Sequence, residues 1–323
     1  MVDPEPISPV TTTVPLAGAS PNRASAFRRV TRWIKGFPIA RWIEWKTRYL
    51  ASRIVYGRDV AIVEDFSLFA PNWGGSYRVC ARLTTLGAQQ TFPFLAGFLA
   101  GIGRKLVSGR ATHTSELYRD ADSENRALQL KRAFDKYGSD KATTHDYHYI
   151  YSLILKNPDA VTDVLEIGLG TNNTDVVSHM GRDGRPGASL RAFREYLPNA
   201  RVYGADVDRR ILFEEDRIKT FFVDQTDLSS FEAFGESLRG CAFDLIIDDG
   251  LHAPNANIAT LGFALHRLKP GGWFAVEDIP ERALPVWDVV EALLPAGYRA
   301  HLFFAKAGLV FAVEKLAGAE QVL

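Results

Sequence analysis

Val164-Leu-Glu-Ile-Gly-Leu-Gly170 reads as an apolar strand running into a glycine turn. Three later segments repeat the design of a buried strand that ends in polar residues. They are Val202-Tyr-Gly-Ala-Asp206, Ile246-Ile-Asp-Asp-Gly-Leu-His252 and Lys269-Pro-Gly-Gly-Trp-Phe-Ala-Val-Glu-Asp278. In an open α/β sheet, ligands bind beyond the carboxyl ends of the strands. These four ends are therefore where chemistry is expected.

Working outward, candidate strands fall at Val161–Gly168, Arg201–Ala205, Ile218–Val223, Phe243–Ile247, Gly272–Glu277, Arg299–Phe304 and Leu309–Glu314. Helical patterns at Ala188–Tyr196, Leu228–Leu238, Asn255–Arg267 and Leu284–Leu294 alternate with them. Such alternation predicts an α/β fold, a doubly wound and mostly parallel seven-stranded sheet of Rossmann-like type. The last two strands are separated by only Ala305 to Gly308. So short a link makes a hairpin, hence one antiparallel strand. Upstream, a helix over Ser123–Phe134 is expected to end at Gly138, and another to run from Tyr147 to Leu155.

The chain has 323 residues, 46% apolar and 24% charged, with Lys plus Arg equal to Asp plus Glu. This balance gives no nucleic-acid bias. Residues 1–25 are rich in Pro, Ser, Thr and Ala and read as a disordered tail. Residues 26–110 read as a mainly helical accessory region, and 111–323 as the main domain. From Arg28 to Arg58 there are nine Lys or Arg and one acid, Glu44. They mix with Trp33, Ile34, Phe37, Trp42, Ile43, Trp45 and Tyr49. Basic amphipathic helices of this kind can lie on an anionic membrane surface, here through residues 26–58. They can equally pack as an accessory layer on the main domain or on a partner subunit of a homo-oligomer. The most apolar run, Phe92 to Gly103, is too short for a spanning helix, which needs ~20 residues. The first 25 residues lack the apolar core of a secretory signal. Only Cys80 and Cys241 occur, so a cytoplasmic setting without disulfides is expected.

Glycines 168 and 170 at a strand exit let the backbone approach a ligand closely. The third glycine of the dinucleotide fingerprint is absent, since Thr171 and Asn172 follow. Asp206 ends the second strand, where an acid commonly accepts ribose hydroxyls. The polar segment Thr171 to Gly187 lies between and could form a lid. Asp224 and Gln225 could hold a base edge or cap the next helix. Asp248 and Asp249 are adjacent carboxylates at a buried strand end, costly unless solvated, paired or bound to a cation. His252 can reach the same cleft, and histidine suits proton removal near neutral pH. Glu277 and Asp278 end a neighbouring strand. Strand spacing of about 4.8 Å brings Asp249 and Asp278 close enough to share one divalent cation. All-oxygen ligands favour Mg²⁺, Ca²⁺ or Mn²⁺.

From about Asp135 to Glu314 the chain resembles class I S-adenosylmethionine-dependent methyltransferases. More narrowly, it resembles the metal-dependent sugar O-methyltransferases of macrolide biosynthesis, the mycinamicin and tylosin type. The resemblance is carried by Asp135-Lys-Tyr-Gly-Ser-Asp-Lys141 with His145 and Tyr149, by Leu165-Glu-Ile-Gly168 and by Gly187-Ala-Ser-Leu-Arg191. Tyr203-Gly-Ala-Asp206, Asp224-Gln225, Ile247-Asp-Asp-Gly-Leu-His252 and Pro270-Gly-Gly272 through Glu277-Asp278 complete it in order. It implies that Glu166, Gly168, Gly170, Ser189, Asp206, Asp224, Gln225 and Asp248 bind S-adenosylmethionine, with Asp206 on the ribose, Asp224 facing the adenine, and Ser189 and Arg191 helping to close the pocket. It further implies that Asp249 and Asp278 ligate Mg²⁺ and that His252 is the base. The acceptor it implies is a sugar or polyol hydroxyl of a glycoside, natural product or polysaccharide; His145, His148 and Tyr149, which precede the first strand, could contact it, as could Glu277. Asn172-Asn-Thr-Asp175 departs from that group's shorter, glycine-rich turn, and the first 110 residues show no match. Competing expectations are an NAD-dependent oxidoreductase and a membrane-associated scaffold carrying a cofactor-binding domain.

Overall fold

In a computed structural model of the chain, residues 38–72, 75–118 and 120–318 are described. The readings of residues 1–25 and of Trp33, Ile34 and Phe37 fall outside them, as do the side chains of Trp42, Trp45 and Tyr49. The chain divides into two compact units, 1–89 and 90–323. The first contains the helix Pro38–Asp65, which is kinked at Tyr56 where φ is −126° and ψ 31°. A second long helix spans Tyr77–Gly101. Among the described residues no helix is long and apolar enough to cross a membrane. Both cysteines are free.

The second unit is built on one sheet. Its strands are β1 (Thr112–His113), β2 (Asp163–Ile167), β3 (Arg201–Asp206), β4 (Glu214–Glu215), β5 (Ile218–Phe222), β6 (Phe243–Asp248), β7 (Leu268–Ile279), β8 (Tyr298–Ala305) and β9 (Gly308–Lys315). Their spatial order is β1-β8-β9-β7-β6-β2-β3-β5-β4. Among the described residues the expected seven strands thus become nine. The two additions, β1 and β4, are two-residue strands at opposite edges. Runs that short have no periodicity to read. β9 is antiparallel to both β7 and β8, so the expected hairpin and its reversed strand are present. The central pairs β2–β3, β2–β6, β3–β5 and β6–β7 are parallel.

Successive strand residues alternate between faces. Leu165, Ile167, Ile246, Phe274 and Val276 point to one layer, packed with Phe231, Phe234, Phe263 and Trp287 from the helices Leu228–Ser237, Pro254–Leu265 and Leu284–Leu293. Val164, Leu245, Ile247 and Ala275 point to the other. There they meet Phe134, Ile150, Tyr151 and Phe193 from the helices Ala121–Tyr137, Tyr147–Ile154 and Ala188–Tyr196. The helix Ala121–Tyr137 ends as expected at Gly138, with φ of 77°. By the same alternation Glu166 and Glu277 go to the second layer, and Asp248 to the first. In-register pairing of Ile167 with Ala205 and with Asp248, and of Asp248 with Val276, brings the four strand ends to one level.

Candidate active site

Two clefts open at this carboxyl edge. The larger has a volume of about 400 Å³ and is walled by Gly168, Gly170, Asp206, Asp208, Asp224 and Gln225, among others. Asp206 accepts the backbone N–H of Leu169 at 2.7 Å and of Asp208 at 2.8 Å. Burial raises its pKa although these bonds act against it. Asp224 accepts from the amide and hydroxyl of Thr226, 2.9 and 2.7 Å away, and so shapes the turn before the next helix. Gln225 donates to Asp248 and Thr260, each at 2.8 Å, and accepts from the Leu251 amide at 2.8 Å.

The segment 171–187 walls both clefts. Asp175 and Ser178 line the larger one, and Ser178, Met180 and Arg185 the smaller. It is tied down by Thr171 and Asn173, both donating to Asp208 at 2.7 Å, and by Asp175, paired with Arg210 at 3.0 Å. Arg191, in contrast, is engaged with Glu215 and lines neither cleft.

The smaller cleft, about 270 Å³, contains Lys141, Ser189, Asp249, His252 and Asp278. Gly168, Gly170, Ser178 and Asp249 belong to both clefts and mark their junction. One ligand atom from each of Asp249, His252 and Asp278 lies within 4.8 Å of the others. His252 Nε2 is 3.8 Å from Asp249 Oδ1 and 3.9 Å from Asp278 Oδ2. The imidazole therefore faces both carboxylates across a gap too wide for hydrogen bonds. His252 and Asp278 have φ of +55° and +56°. Non-glycine residues rarely adopt this left-handed region, and such outliers gather at functional sites. At Asp278 the distortion coincides with a register shift between β7 and β9 from Val276 to Ile279. Strict alternation would turn this carboxylate toward the first layer. The bulge turns it to Tyr147, whose hydroxyl donates to Asp278 Oδ1 at 2.6 Å.

His145 completes the surroundings of Asp278. Its Nδ1 lies 3.2 Å from Asp278 Oδ1, and its Nε2 3.6 Å from Asp140. Asp140 and Asp278 raise the imidazole from 6.5 to about 10. Burial pushes the Asp278 carboxyl up, but His145 and Tyr147 outweigh it and hold it down at about 2. The signs set a pH window. The raised histidine contributes stability that is complete below about 6.5 and lost as pH rises through about 10. The depressed carboxyl contributes stability complete above 3.8 and lost toward about 2. In EDTA, the melting temperature should fall between pH 6.5 and 10, and His145→Gln should flatten that limb. An unchanged alkaline limb in the variant would refute the pairing.

Several residues expected at the site stand behind it instead. Asp248 is fully buried and accepts from Gln225 and from Asn257 at 3.0 Å. Glu166 is fully buried and accepts the Ser189 hydroxyl at 2.6 Å. Glu277 accepts the Tyr151 hydroxyl. None of the three lines either cleft, nor do His145 and Tyr149. The Tyr149 ring packs on Tyr118 and His148, with centroids 4.8 and 4.1 Å away. Burial lowers His148 to about 4, so it is neutral there.

Sequence reading did not single out Lys141. Its Nζ is 2.6 Å from Asp249 Oδ2 and 3.1 Å from Glu166 Oε1, and it also binds Glu277 Oε2. Burial favours the neutral amine, but the Asp249, Glu166 and Glu277 carboxylates outweigh that and keep it charged. Burial pushes the Glu277 carboxyl well above the usual range. The available signal was indirect: carboxylates ending apolar strands need a counter-charge.

No family model matches the chain. Among curated proteins, it is 29% identical over 154 residues to an 8-demethyl-8-alpha-L-rhamnosyl tetracenomycin-C 2'-O-methyltransferase of Streptomyces olivaceus. That match covers 47% of this chain and 38% of the relative. It is 35% identical over 94 residues to a mycinamicin VI 2''-O-methyltransferase of Micromonospora griseorubida, covering 29% of this chain and 23% of the relative. The chain thus spans well under half the length of these relatives. Their names agree with the resemblance drawn from the motifs. Among solved structures, the MycE methyltransferase from the mycinamycin biosynthetic pathway, in complex with Mg and SAH, aligns over 60% of this chain and 57% of its own. The identity is 22% and the TM-score 0.47.

Proposed function

We propose that the chain transfers a methyl group from S-adenosylmethionine to a sugar or polyol hydroxyl, assisted by a divalent ion. The carrying observation is the junction of the two clefts at Gly168, Gly170 and Asp249, beside His252 and Asp278. The larger cleft suits the donor, with Asp206 on its ribose and Asp224 and Gln225 toward its base. The smaller cleft suits the acceptor. Asp249 and Asp278 fit a hard ion such as Mg²⁺, because each turns a carboxylate oxygen to a common gap faced by the His252 imidazole. Such an ion would supply acidification and orientation of neighbouring hydroxyls.

His252 then takes the hydroxyl proton at Nε2, the nitrogen facing the gap. The acceptor oxygen forms its bond to the methyl carbon as the bond to sulfur breaks. The sulfonium is already activated, so the protein contributes mainly alignment and proton removal. Glu166, Asp248 and Glu277 brace the lining from behind, and Glu166 holds Ser189, which lies in the smaller cleft. We assign this work to residues 111–323 and an accessory role to 26–110. The exposed Ile43, Leu50, Ile54 and Leu68 support a role for the accessory region in assembly or surface attachment.

Calorimetric titration should show binding of S-adenosylmethionine and none of NAD. A methyl-transfer screen across glycosides should find an acceptor whose turnover falls at least tenfold in EDTA and recovers with Mg²⁺. Binding of NAD alone would replace this reading with that of an oxidoreductase.

A further inference from the structure

Lys141 neither faces the donor as a ligand nor removes a proton in this scheme, yet it stands among the carboxylates. Only 2% of its side chain is exposed, and it contacts Glu166, Asp249 and Glu277, which come from the ends of β2, β6 and β7. A buried ammonium is costly unless fully paired, and apolar groups of similar volume often stabilise such positions equally well. Packing alone therefore does not account for a lysine here. Its geometry has two effects on the neighbouring cluster. It occupies Asp249 Oδ2, which leaves Oδ1 as the oxygen turned to His252. Its charge also sits one carboxylate away from the gap, where it opposes any cation placed between Asp249 and Asp278.

We propose that Lys141 is a positioning residue that holds Asp249 as a one-oxygen ligand and limits the affinity of the cluster for a divalent ion. The inference rests on Asp249 and Asp278 being the ion's ligands. An ion held loosely by the protein alone would be held firmly only with acceptor hydroxyls present. Binding of ion and acceptor would then be coupled.

The test is Mn²⁺ binding to the full chain, followed by electron paramagnetic resonance of the free ion, for wild type, Lys141→Met and Asp278→Asn. Lys141→Met should bind at least tenfold more tightly, and Asp278→Asn at least tenfold more weakly. A merely structural defect would weaken binding, so tightening separates the two explanations. If the Met variant does not fold, Lys141→Gln takes its place with the same expectation. Wild-type or weaker affinity in the folded Lys141 variant, with Asp278→Asn still weakened, overturns the role of Lys141 and leaves the ion site standing. Unaltered affinity in Asp278→Asn, or no Mn²⁺ binding by any of the three, overturns the ion reading and this inference together.

Discussion

Replacing His252 should lower methyl transfer by about 10²–10⁴-fold, the usual contribution of a positioned general base. His252→Asn is the variant of choice, because φ at this residue is +55° and asparagine tolerates the left-handed region better than alanine. The backbone then stays in place while the base is lost. His252 does not line the larger cleft, so affinity for S-adenosylmethionine should change by no more than about twofold. Single-turnover rates with saturating donor separate the two quantities. A variant that methylates at the wild-type rate removes His252 from the mechanism. One that loses donor affinity instead moves it to the wrong cleft.

Gly168→Ala should damage stability and activity together. A Cβ built there would lie 2.0 Å from the carbonyl oxygen of Asp249 and 2.8 Å from Gly250 Cα, both backbone atoms that cannot swing aside. The residue also has φ of +99°. Overpacking costs typically ~1–3 kcal/mol and backbone strain a similar amount. A loss of about 3–5 kcal/mol in denaturant unfolding is expected. Relief by backbone movement would push Asp249 away from Asp278, so whatever folds should transfer little methyl. Gly181→Ala is the control. Its φ is +79°, but nothing lies within 4 Å of the added carbon. It should cost only about 1–2 kcal/mol. Equal stability of the two variants would mean that the first glycine of the turn is not closely packed.

The two replacements probe different layers of the same design. Gly168 lets the β2 turn approach the β6 turn, and that approach sets where Asp249 begins. His252 acts only once Asp249 and Asp278 are at the right separation. A glycine that supplies no reacting group can therefore cost as much turnover as the base itself.

The main strands, their order of function along the chain and the hairpin were legible without coordinates. Leu165, Ile167, Ile246 and Phe274 alternate or cluster as buried strands must, and Gly138 stops its helix by the left-handed cap that only glycine adopts freely. The convergence of Asp249 and Asp278 was legible too, because strand ends at one level are a consequence of parallel register. Local pattern carried this information, since it depends on neighbours within a few residues. Three things depended on the assembled fold. The edge strands β1 and β4 are two residues long and exist only because longer strands offer them a partner. The aim of Asp278 comes from a bulge that departs from alternation. Lys141, 108 residues before Asp249, becomes a buried counter-charge only when a helical layer closes over the sheet. Charge pairing across such separations is set by packing in three dimensions, which no periodicity along the chain encodes.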